Sequence, residues 1–266
     1  MLNNKIIRIC KEKLIFLNFS NNTISIYLHY INEFVMGFDK QIIHLNSNDF
    51  QSYINEYKFS SVSQQNQIIS SIKFLYKKVL NKKYNKIDFS RPRNEKHLPQ
   101  IIDKNYLLNQ ISKIINIKHK SIISLAFSVG LRVSEIINLK ITDIDSERMI
   151  INIIQSKGKK DRIVPLSQNI LELLRIYWKE YKPNEYLFNG QKSMKYSATS
   201  CNQIVKKYLG KKYHFHLLRH SCFTSLLENG TNLRVIQKLA GHKSSKTTEI
   251  YTHVSKQTLN NIILPI

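Results

Sequence analysis

Apolar residues recur at three- and four-residue intervals along most of this chain, and only two short neighbouring runs are β-rich instead. That pattern predicts a mainly α fold with a single small sheet. After Asn22, which suits an N-cap, Ile24, Tyr27, Leu28, Ile31 and Val35 mark one helical face. A second helix is expected to begin near Asp49, with Phe50, Tyr53, Ile54 and Tyr57 on one side, and a third to cover residues 63–80, with Ile68, Ile72, Leu75 and Val79 as its stripe. Residues 82–99 carry Pro92 and Pro99, many charges and no sustained period, so they read as a linker. The boundary is set near Arg93, giving a helical domain of residues 1–92 and a second of residues 93–266; a length of 266 residues suits two domains. In the second, helices are expected over 103–115 (capped by Asp103), 118–129 (stopped by Gly130), 133–139, 169–181, 196–208, 215–229, 233–240 and 246–251. The β-rich runs 149–154 and 162–165 flank the turn sequence 156–160 and predict an antiparallel hairpin, making this domain α+β.

Charge narrows the partner. Lys and Arg number 41 against 18 Asp and Glu, a formal net charge of +23, which favours a polyanion. Cys10, Cys201 and Cys222 are few, odd in number and not spaced as CxxC, so neither a disulfide framework nor a four-cysteine zinc site is expected, and a reducing compartment is. No apolar run is long enough to span a membrane, and the N-terminus lacks the uninterrupted core of a signal peptide, which points to the cytoplasm. Lys73 and Lys77 lie largely off the apolar stripe of the third helix; an ordinary solvated face and a face laid on DNA phosphates both fit.

Five local features carry chemistry, each with a bland alternative. Arg132 stands between a helix stop and a helix start, with Glu135 three residues on to orient it; a surface Arg–Glu pair would look the same. Lys157, Lys159, Lys160 and Arg162 cluster on the hairpin, either solvated or reaching into a DNA groove, where a desolvated lysine can serve as a general acid. His216 and His220 share a helical face as zinc ligands would, but Leu217 stands where a HExxH site needs Glu, and no nearby Cys or acid completes the shell, so no metal is expected. Instead His216 and Arg219, one turn apart, can face a phosphate, with Arg offering a planar fork and His handling a proton. His242 follows the helix stop Gly241 and can bond an anion or cap a turn. Tyr251 is one of 14 tyrosines, most of which should be packing residues. Taken together, two arginines, a phenol, a base and an acid are the parts of a phosphoryl transfer that keeps its bond energy in a phosphotyrosine and needs no cofactor.

The stretches GLRVSEIINLKITDID, SKGKKDRIVPL, HLLRHSCFTSLLENGTNLRVIQKLAGH and TTEIYTHV, in this order, resemble the boxes of the tyrosine recombinase (phage integrase) family. The resemblance covers essentially the whole chain. It implies an N-terminal core-binding, SAM-like domain and a catalytic domain of the DNA breaking-rejoining type, closing on double-stranded DNA as a clamp. It implies Arg132, Lys157, His216, Arg219, His242 and Tyr251 as the catalytic set, with Glu135 in support and Tyr251 as nucleophile. It also implies a homotetramer on DNA, and the apolar tail 255–266 is expected to dock into a neighbouring copy. Ser245 departs from the usual apolar residue after the Gly-His pair, and no separate arm-binding domain is recognisable. Integration or excision of a phage or mobile element is the favoured role. The alternatives are a Xer-type resolvase of chromosome or plasmid dimers, a topoisomerase of related chemistry, and an inactive DNA-binding protein. Accessory proteins and the DNA sequence are not legible.

Overall fold

A computed structural model of the chain describes residues 2–81, 91–92, 100–154, 161–191, 193–242, 244, 246–249 and 251. It divides into two compact units, Met1–Lys96 and His97–Ile266. The expectations for Lys157, Lys159, Lys160, Ser245 and the tail 255–266 lie outside the described residues, as does most of the linker.

The first unit is helical: α1 (Leu2–Phe16), α2 (Asn21–Met36), α3 (Ser47–Glu56) and α4 (Val62–Phe74), the last running on into a π turn, Leu75–Val79. α1 is the element that the periodicity left unassigned. Its buried residues Ile6, Cys10 and Leu14 recur every four positions, but charged neighbours obscure the stripe. α2 begins earlier than Asn22 suggested. Ser20 is the cap: its extended backbone lets Oγ accept the Thr23 amide at 3.2 Å, while Asn22 is already in the first turn. Asp49 likewise lies inside α3, where it closes a capping box by accepting the Asn46 amide at 2.8 Å. Ile31, Phe34, Ile68, Ile72 and Leu75 form the centre of this unit's core, and Tyr76 donates to the Asn46 carbonyl at 2.9 Å. Lys73 is half-buried and Lys77 exposed.

The second unit comprises α5 (Lys104–Ser112), α6 (Ile117–Val129), α7 (Val133–Asn138), β1 (Ile144–Asp145), β2 (Ile150–Ile153), β3 (Arg162–Pro165), α8 (Gln168–Tyr181), α9 (Ala198–Leu209), α10 (Phe215–Glu228), α11 (Leu233–Ala240) and α12 (Lys246–Glu249). The three strands form one antiparallel sheet in the order β1-β2-β3. Two-residue β1 was unforeseen because so short a strand has no period of its own. Met149, expected within β2, instead takes φ +54 in the turn before it. α10 is the central helix, with Phe215, Leu217, Leu218, Cys222 and Phe223 all buried and packing against α6, α9 and α11. A helix hydrophobic all round is a core helix, so a charged side chain on it is carried into the interior.

Candidate active site

That charged side chain is Arg219, 1% exposed. Burial of a guanidinium demands partners for its fixed donors, and three are present. Nη1 donates to the Gly130 carbonyl at 2.6 Å, and Nη2 to the Ala240 carbonyl at 2.6 Å and to His242 Nε2 at 3.1 Å. The first partner depends on Gly130, which ends α6 at φ +65; a Cβ there would lie 2.5 Å from the Phe223 ring. Two residues on, Arg132 Nη2 also donates to the Ala240 carbonyl, at 3.0 Å. Two arginines 87 positions apart in the chain thus meet on one oxygen.

Glu135 anchors the first of them. Its carboxylate accepts the Arg132 amide at 2.8 Å and Arg132 Nη1 at 2.7 Å at the start of α7. Arg162 approaches from the other side with Nη1 and Nη2 at 2.7 and 2.8 Å from the two carboxylate oxygens. The Glu135 side chain is 3% exposed. Burial pushes its carboxyl up, but the hydrogen bonds and charges of Arg162 and then Arg132 outweigh this and hold it at about 2. Arg162 was expected to face DNA; its side chain is 8% exposed and turns inward. The alternation of β3 explains the correction: Arg162 shares a face with buried Val164, while Ile163 points out at 59% exposed.

His242 follows the left-handed Gly241 that ends α11. Guanidinium groups only donate, so Nε2 accepts from Arg219, and Nδ1 keeps the proton it donates to Thr248 Oγ1 at 2.9 Å. Burial and the charges of Arg219, Arg132 and Arg162 lower this imidazole to about 4, so it is neutral at pH 7. Tyr251 lies past the end of α12, its amide bonded to the Thr248 carbonyl at 3.1 Å, rather than inside a helix as expected. Its ring is 1% exposed, 5.5 Å from that of Phe223 and nearly parallel to His242 at 6.4 Å between centroids. Burial raises the phenol to about 12, opposed by the charge of Arg219.

His216 is exposed at the start of α10, its ring edge-on to His220 at 4.6 Å; His220 in turn is 5.7 Å from Tyr251. Burial, then the neighbouring His216, lowers His220 to about 4. Among the described residues no three His, Cys, Asp or Glu side chains are gathered as a metal site. The structure therefore brings together Arg132, Glu135, Arg219, His242 and Tyr251, with His216 one ring removed. It adds Arg162 in a different part from the one expected, and Thr248, whose hydroxyl no local pattern marked.

Comparison with known proteins agrees with this architecture. Residues 98–258 match the phage integrase family, and residues 6–86 match the phage integrase N-terminal SAM-like domain. Tyrosine recombinase XerA of Pyrococcus horikoshii is 33% identical, over 92% of this chain and 87% of that one. Among solved structures, the fold is shared with XerH site-specific recombinase bound to a palindromic difH substrate (TM-score 0.75, 23% identity, 97% of this chain and 83% of that one). It is shared also with a lambda integrase tetramer bound to a Holliday junction (TM-score 0.74, 16% identity, 99% and 79%). The chain belongs to the phage integrase family: it is a tyrosine recombinase, an enzyme of site-specific DNA cleavage and rejoining.

Proposed function

We propose that Tyr251 is the nucleophile, that Arg132 and Arg219 clamp the scissile phosphate, and that Lys157 is the general acid. The convergence of both guanidinium groups on the Ala240 carbonyl carries this reading, because donors that meet on one oxygen are close enough to share one phosphate. The Tyr251 oxygen attacks phosphorus, and the bond from phosphorus to the 5′ oxygen breaks. The phenol proton passes to a base, assigned to His216, and Lys157 gives a proton to the leaving 5′ oxygen. A 3′-phosphotyrosine and a free 5′ hydroxyl result. A 5′ hydroxyl from a second strand reverses the step, so no outside energy source is consumed. A phenol near 12 retains its proton at pH 7, which is why a base is needed as well as a clamp. His242 holds Arg219 in place through Nε2, and Glu135 does the same for Arg132. Lys73, Lys77, Lys159 and Lys160 are assigned to the DNA backbone, in keeping with the net charge of +23.

The biological role we assign is integration or excision of a phage or mobile element, in the cytoplasm, by a homotetramer joined through residues 255–266. Sedimentation of the DNA complex with and without those residues reads the assembly, and an unchanged mass refutes the tail's part in it. The 33% identity to XerA favours a second reading, resolution of chromosome or plasmid dimers. A gene flanked by attachment sites decides for the first.

The chemistry is tested by covalent trapping on a nicked duplex taken from DNA flanking the gene. The natural chain should become bound through Tyr251, and Tyr251→Phe should bind the same duplex within about two-fold and form no adduct. An adduct with Tyr251→Phe would identify another nucleophile.

A further inference from the structure

Thr248 is 0% exposed, and its side chain and main chain bond to two different parts of the site. Its Oγ1 lies 2.9 Å from His242 Nδ1, and its carbonyl accepts the Tyr251 amide at 3.1 Å. His242 Nε2 in turn accepts from Arg219 Nη2 at 3.1 Å. Three hydrogen bonds therefore run from the Tyr251 backbone through Thr248 and His242 to Arg219. The His242 backbone is held separately: its amide donates to the Gln237 carbonyl at 3.2 Å, and its carbonyl accepts from Gln237 Nε2 at 3.4 Å. Those bonds fix where the ring is attached, but they do not choose which ring nitrogen carries the proton. A neutral imidazole has two tautomers, and only the one with hydrogen on Nδ1 leaves Nε2 bare to accept from a guanidinium, a group that only donates. The other tautomer sets N–H against N–H at Arg219. An N–H turned away from water needs an acceptor, and the Thr248 hydroxyl supplies one to Nδ1.

We propose that Thr248 is a positioning residue: its hydroxyl keeps His242 in the tautomer that accepts from Arg219, while its carbonyl holds the backbone of Tyr251, so one residue sets the clamp and the nucleophile relative to each other. The hydroxyl is the working part, because valine at this position keeps the shape and the carbonyl and loses only the acceptor for Nδ1–H. The proposal rests on the reading of Arg219 as a phosphate clamp and of Tyr251 as the nucleophile. It gives a buried hydroxyl a catalytic consequence, because a misplacement of about 1 Å near the reacting atoms costs on the order of 100-fold in rate.

Thr248→Val and Thr248→Ser are compared with the natural chain, with thermal melts to show that they fold and Thr248→Ala in reserve should the valine chain not fold. Nitrogen-15 labelling of the histidine rings and long-range proton–nitrogen spectra show which His242 nitrogen bears hydrogen, and His242→Gln assigns the signal. The DNA probe is the duplex that the natural chain captures covalently from a nicked random-sequence pool. In the natural chain and in Thr248→Ser the hydrogen should sit on Nδ1, and the serine chain should capture DNA within about three-fold of the natural rate. In Thr248→Val the hydrogen should move to Nε2, and single-turnover capture should fall about 10–100-fold while affinity stays within about two-fold. A valine chain that keeps its hydrogen on Nδ1, or that captures DNA at the natural rate, would overturn the proposal. Equal losses with serine and valine would reduce Thr248 to a packing residue and overturn it too. Arg219→Ala separates the two readings. If it captures DNA at the natural rate, the clamp assignment fails and the proposal falls with it; if it is slow and Thr248→Val is not, the positioning role alone fails.

Discussion

Glu135→Gln keeps the shape of a side chain that accepts hydrogen bonds from Arg132 and Arg162 and removes its negative charge from among three arginines, Arg132, Arg162 and Arg219. Two independent routes give its cost. The carboxyl is held at about 2 against an ordinary 4.5, a lowering that at about 1.36 kcal/mol per pH unit is on the order of 3 kcal/mol of stability at neutral pH. Removing one partner of a buried ion pair typically costs about 3–5 kcal/mol. The two agree on about 3 kcal/mol, or a fall in Tm of about 6–12 °C for a domain of this size. The sign in pH follows from the lowered value. Glu135 stabilises the fold fully above 4.5, and this contribution is lost as pH falls from there towards 2, because the unfolded chain takes up the proton first. Urea unfolding followed by circular dichroism, for both chains at several pH values from 7 to 3, measures the difference. The gap between them should be about 3 kcal/mol at pH 7 and should narrow below pH 4.5. A gap under about 0.5 kcal/mol at pH 7, the range of ordinary surface changes, or a gap that does not vary with pH, would refute the view that Glu135 is the charged keystone of the site.

Gly130→Ala should destabilise the second unit by about 2–5 kcal/mol, since a left-handed non-glycine costs about 1–2 kcal/mol and pressing into a packed ring about 1–3; a melt within 1 °C of the natural chain's would show that neither φ +65 nor the Phe223 contact matters. His220 and His242, both lowered to about 4, stabilise the fold fully above the unfolded value of about 6.5 and lose that contribution as pH falls towards 4. Replacing both with Phe and Gln respectively should flatten the stability slope between pH 6.5 and 4, and an unchanged slope would place the titration elsewhere.

Several features of this chain could be read from local patterns alone. Helix faces such as Ile68, Ile72 and Leu75 follow from a 3.6-residue period. The cap at Asp103, and the stops at Gly130 and Gly241, depend on the backbone needs of one turn. The ordered boxes around Arg132, Lys157, His216-x-x-Arg219, Gly241-His242 and Tyr251 named the family because their joint order is specific even where each box is not. Elements without a clean period escaped: α1, whose stripe is crossed by charges, and β1, which is too short to have one.

Convergence is another matter. Sequence order placed Arg132 beside Glu135, because both belong to one helix turn. It could not place Ala240 between Arg132 and Arg219, because that contact depends on how α10 packs against α6 and α11. Nor did positive charge reveal which way an arginine faces. Arg162 looked like its lysine neighbours and folded inward, since a buried carboxylate from a distant segment was waiting for its fork. Local propensity acts within a turn or a strand, so one sequence suffices to read it. Long-range burial fixes the partners of charged groups, and only the packed chain brings those partners together.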